Sequence, residues 1–143
     1  MLASCADRQS KARGETIKDA YIDLQEAIRN GDPEAIANRY LESSQFTKES
    51  NLSYASSLLK YFKDSQSKVM HIRESGNFAA IVVVDVQSSS GSPMFAKKVD
   101  GKYRFYRSLN IWGYTNGVEH FEVSEEEMKI LLKLQEWAIS KTS

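Results

Sequence analysis

Few side chains in this 143-residue chain have types and surroundings that could do chemistry. Asp85 is the only acid within the apolar run Ile81–Val86. Alternation along a strand puts it on one face with Ile81 and Val83. A carboxyl held among aliphatic side chains has its pKa moved toward general acid–base work. His71 is the second candidate, and the same alternation places it with Val69 and Arg73. The plainer expectation is a solvent-facing strand-end residue for Asp85 and a satisfied or surface histidine for His71. His120 stands between Glu119 and Glu122. Two histidines and one cysteine are too few for a zinc site, so no metal is expected. No GxSxG, HExxH or phosphate-loop pattern occurs, and no cofactor is expected. Cys5, the single cysteine, lies in a polar stretch without the supporting shell a nucleophile needs.

Binding chemistry has more material. Tyr40, Tyr54, Tyr61, Trp112, Tyr114 and Trp137 are amphipathic rings suited to the mouth of a pocket, or to core and rim packing. Tyr40, Tyr54, His71, Asp85, Tyr103 and Trp112 form the candidate pocket set. Lys97, Lys98, Lys102, Arg104 and Arg107 interleave with Tyr103, Phe105 and Tyr106, a composition also found on RNA-binding sheets. Alternation splits them: Tyr103, Phe105 and Arg107 face the core, while Lys102, Arg104 and Tyr106 face outward. That division speaks against a nucleic-acid platform. Five glutamates between Glu119 and Glu127 can offset the basic hairpin or meet a partner of their own.

The elements that must position these residues follow from periodicity. Ile17, Ala20, Tyr21, Leu24, Ala27 and Ile28 make the apolar stripe of a helix over Thr16–Asn30, with Thr16 as its cap. Asn30-Gly31 ends it, and Asp32-Pro33-Glu34 starts a short second helix carrying Ile36, Ala37, Tyr40 and Leu41 inward. Residues 43–51 read as a loop and Leu52–Lys63 as a third helix. From Val69 the period is two. Strands are expected at Val69–Glu74, Phe78–Gln87, Met94–Val99 and Lys102–Arg107, with turns at Ser75-Gly76-Asn77 and Asp100-Gly101. Asn116-Gly117 signals a further hairpin between 110–115 and 118–123. Ser124 and Glu127 form a capping box, with Val123 and Met128 as the staple, for a final helix. The fold class is α+β: N-terminal helices packed on a curved antiparallel sheet, with an added C-terminal helix.

Composition bounds the function class. Nineteen basic and nineteen acidic residues cancel, which argues against a strongly basic nucleic-acid footprint. Hydrophobic residues at 41% and charged residues at 27% are those of one globular domain, expected over residues 14–143. Residues 1–13 read as a flexible tether.

Two resemblances add to this. Residues 24–40, LQEAIRNGDPEAIANRY, with a long helix, a Gly-Asp break and a short helix ending in an aromatic, resemble the nuclear-transport-factor-2-like superfamily. That likeness, over residues 15 to about 112, implies a cone-shaped α+β fold with a ligand pocket or, in some members, an isomerase or dehydratase site. Those domains usually end with the sheet, whereas this chain adds a helix. Leu2-Ala3-Ser4-Cys5 resembles the lipobox of bacterial lipoproteins, which implies acylation of Cys5 and a domain held in the periplasm, at the outer membrane or elsewhere in the envelope. The alternative is a cytoplasmic protein with one exposed thiol. The functional expectation is a non-enzymatic envelope domain that binds a small apolar ligand or a protein partner, and that meets the membrane only through its lipid. Its runner-up is an immunity- or inhibitor-type interaction module. Third is an isomerase- or dehydratase-like enzyme.

Overall fold

The computed structural model describes residues 14–43, 46–64, 66–87, 91–107 and 123–142. Among these residues three helices come first: α1 (Ile17–Arg29), α2 (Pro33–Asn38) and α3 (Lys48–Phe62). Four strands follow, β1 (Ser67–Ser75), β2 (Phe78–Asp85), β3 (Gly91–Val99) and β4 (Lys102–Phe105), and then α4 (Glu125–Thr142). The strands pair antiparallel in sequence order as a meander. The sheet is curved and unclosed, so the fold is α+β as expected.

Local chemistry sets the helix ends. Thr16 Oγ1 accepts from Asp19 N–H at 3.1 Å, and Asp32 Oδ1 accepts from Ala35 N–H at 3.2 Å. Each satisfies a donor that a helix start leaves unpaired. Thr47 caps α3 through Ser50 N–H at 3.2 Å, so this helix begins one turn earlier than its apolar period suggests. The Ser124–Glu127 box closes in both directions, at 3.0 and 3.1 Å.

Strand alternation sends β2 into two cores. Ala79, Ile81 and Val83 pack with α1, Tyr40, Tyr103 and Phe105. Phe78, Ala80 and Val82 pack with Phe95 and with Met128, Leu131, Leu134 and Ala138 of α4. The sheet is therefore covered on both faces, and the near-continuous apolar run of β2 is what a central, doubly buried strand requires. Tyr103 and Phe105 are buried on the α1 face, while Tyr106 packs on the α4 side. Lys97 reaches Glu127 at 3.7 Å, which ties the basic hairpin to the acidic start of α4.

The expected face for His71 requires correction. Val69 pairs with Val83, but His71 pairs with Val82, so Met70 is the extra residue of a β-bulge. One inserted residue inverts the alternation beyond it. Val69 stays on the α1 face, whereas His71 turns to the α4 face with Arg73. The Arg73 guanidinium lies 5.9 Å from the Trp137 ring on that side.

The β4 edge is covered. Phe105 N–H donates to Arg39 O at 2.7 Å and Leu41 N–H to Phe105 O at 2.8 Å. Further along, Tyr103 N–H donates to Glu15 Oε1 at 2.9 Å, and Glu15 N–H to Gly101 O at 3.0 Å. Arg39 binds Glu15 through Nη1 and Nη2, Asp23 through Nε at 2.6 Å, and the Tyr103 carbonyl at 3.2 Å.

Candidate functional site

The helix α3 packs on α2 and touches α1 but makes no comparable packing against the strands. Its inward row Tyr54, Leu58 and Phe62, spaced by four, therefore stands off the sheet. The gap is a cavity of about 1030 Å³, near the upper end for small-molecule sites. Tyr21, Leu24 and Ile28 of α1 form one wall, while Val83 and Met94 come up from the sheet. Tyr40, at the end of α2, lies edge-on to Tyr54 with ring centroids 5.1 Å apart.

Polar groups make up much of this lining, and several are held by hydrogen bonds. The Tyr21 hydroxyl meets Ser67 Oγ at 2.5 Å, and Gln25 Nε2 donates to Ser67 O at 2.8 Å. Burial pushes the Tyr21 hydroxyl pKa up, against its bonds to Ser67 and Gln25. Burial pushes Tyr40 much further up, with Tyr54 adding and Arg107 opposing. Both hydroxyls are thus neutral donors and acceptors at physiological pH. Arg107 lies 4.5 Å from the Tyr54 ring centroid and 4.8 Å from that of Phe46, and its Nη1 donates to Ser50 Oγ at 2.5 Å. Arg29, Lys63 and Asp64 stand on the remaining rim.

Of the candidate pocket residues, Tyr40 and Tyr54 meet on this cavity. Tyr103 lies buried near the Glu15–Arg39 pair, and burial together with Glu74 pushes its hydroxyl up to about 12. Asp85 ends β2 on the α1 face and accepts from Gln87 N–H at 2.9 Å, closing its own turn. His71 is on the opposite face of the sheet. Trp112, Tyr114, His120 and the expected hairpin at Asn116-Gly117 fall outside the described residues, as does Cys5. Among the described residues, no three His, Cys, Asp or Glu side chains gather as a metal site, and no helix is long and apolar enough to cross a membrane.

Sequence reasoning did not single out Gln25, Ser67, Leu58 or Met94. A signal existed for Gln25, which sits four residues after Tyr21 at the border of the α1 stripe. One existed for Arg107 too, since alternation put a cation on the inward face of the hairpin.

No protein-family model matches the chain, and no curated protein matches it. Among solved structures, a de novo designed protein with a curved β-sheet is similar at 19% identity, over 63% of this chain and 93% of that one, with a TM-score of 0.45. A likeness of that size carries no argument about function.

Proposed function

We propose that this domain is a binding module for a small apolar ligand, of the nuclear-transport-factor-2-like type, held at a bacterial envelope by a lipid on Cys5. The cavity under α3 is the observation that carries the binding part. Apolar side chains of α1, α3 and the sheet line it beside fixed polar groups such as Tyr21, Gln25 and Ser67, a combination that ligand sites use. The lipobox-like Leu2-Ala3-Ser4-Cys5 supports the address. Acid–base catalysis gains nothing here, because Asp85 and His71 lie off the cavity.

A neutral fluorescent probe, phenylnaphthylamine, tests the binding part. Its emission should rise with the native protein and fall on adding decanol. Leu58→Trp, which fills the cavity from α3, should abolish that rise while circular dichroism stays native. No rise with the folded native protein, or an equal rise in a folded Leu58→Trp variant, overturns the proposal. The address is tested by expressing the gene with its upstream region, fractionating the cells and weighing the product. A soluble product with an unmodified Cys5 removes the lipid anchor from the reading.

A further inference from the structure

We infer that the ligand is an anionic amphiphile, an apolar body ending in a carboxylate, and that Arg107 receives the charged end. This rests on the cavity reading above and adds the ligand's charge.

The charge balance of the lining is the first observation. Arg29, Lys63 and Arg107 line the cavity against one carboxylate, Asp64. The ion pairs among the described residues are Arg39 with Glu15 and Asp23, and Lys97 with Glu127, so none of these three cations has a carboxylate partner there. Arg29 and Lys63 have a structural role to hand. Arg29 closes the last turn of α1, and Lys63 Nζ lies near Gly31 just beyond it, where a helix end favours positive charge.

Arg107 is held by aromatic rings instead of a carboxylate. Its guanidinium is half-buried between the rings of Phe46 and Tyr54. Stacking holds the plane but leaves the N–H edge for hydrogen bonds. A guanidinium has five N–H donors, and among the described residues this one donates to Ser50 Oγ alone. A stacked, pre-oriented guanidinium with donors to spare matches a carboxylate, which accepts two parallel bonds in that geometry. The apolar body then lies along Tyr54, Leu58, Leu24 and Met94.

The experiment compares decanoate with decanol, which share a chain and differ in the charged end. Each competes with phenylnaphthylamine on the native protein, Arg107→Met and Arg107→Lys, all checked for native circular dichroism. A charge-assisted pair in a partly desolvated site gives decanoate about a tenfold preference. Arg107→Met should erase that preference and leave decanol unchanged, and Arg107→Lys should restore part of it. Equal affinity of the native protein for acid and alcohol overturns this inference and leaves the cavity reading standing. A preference that survives in a folded Arg107→Met variant overturns Arg107 as the receiver. No binding of either molecule by the folded native protein overturns both readings together.

Discussion

Replacing Arg39 by Met removes the guanidinium and keeps the apolar stem, so its effect isolates the charge network at the β4 edge. In the native protein Arg39 makes two bonds to Glu15, one to Asp23 and one to the Tyr103 carbonyl. The partners are unequal. Glu15 has 19% of its side chain exposed and Asp23 has 54%, while Arg39 itself has 13%. Breaking a fully buried pair costs about 3–5 kcal/mol, and an exposed pair is worth about 0–1 kcal/mol. The Glu15 pair lies nearer the first limit, with some solvent reaching both groups, so Arg39→Met should cost about 2–3 kcal/mol. Glu15 would then keep only the Tyr103 N–H. For a chain of this size that is a fall in Tm of roughly 6–12 °C. Urea unfolding of the native protein, Arg39→Met, Glu15→Gln and the double variant gives the coupling directly, expected at about 1 kcal/mol or more. Asp23→Asn should cost less than about 1 kcal/mol. Stability of Arg39→Met within about 0.5 kcal/mol of the native protein would refute the reasoning, since that is the range of an ordinary surface substitution. So would an Asp23→Asn variant as damaged as Glu15→Gln.

Four other outcomes follow from the same geometry. Gly14→Ala should destabilise by about 1–3 kcal/mol in the same urea assay, because Gly14 has φ +85° and a Cβ there would sit 2.7 Å from the Gly101 carbonyl oxygen. Tyr103 keeps its proton to about pH 12 in the folded state. Its stabilising contribution is whole below the ordinary tyrosine value of about 10 and is lost as pH rises from there through about 12, so Tyr103→Phe should flatten the alkaline fall in stability. Ser124→Ala should cost about 1 kcal/mol through the lost cap on α4, measured by thermal unfolding. The Ser124 backbone N–H holds Glu127 below the usual glutamate range, with Lys97 helping. That contribution is present above the ordinary glutamate pKa and lost as pH falls through the folded-state value, so Glu127→Gln should lessen the acid fall.

The elements most legible in the sequence are those whose ends are written in local chemistry. Thr16, Asn30 and Asp32-Pro33 bound α1 and α2 as read, and the Ser124–Glu127 box starts α4. The Asp100-Gly101 turn has both residues at positive φ, which is why that dipeptide marks the hairpin so well. Legibility fails where a single residue outweighs a pattern. Thr47 starts α3 amid polar residues with no apolar period to reveal it. Met70 inserts a bulge that no alternation rule sees, and His71 changes face with it. The cavity was legible only through Tyr40 and Tyr54. Its existence depends on how far α3 stands from the sheet, a tertiary quantity that spacing along the chain does not contain.

The Glu15 contact at the β4 edge also bears on how quickly the molecule opens. Each strand of the sheet meets its sequence neighbour, so the meander forms from short-range hairpins at little loop-closure cost. Glu15 and Tyr103 are 88 residues apart, and Arg39 and Tyr103 are 64 apart. Contacts of that range come late, after the hairpins have already brought β4 into place. Energy stored in late contacts is spent on the unfolding limb of a chevron and hardly touches the folding limb. The N-terminal end of the domain therefore acts as a kinetic clasp: it slows release of the edge strand and, through the adjoining Tyr40, loss of the cavity wall.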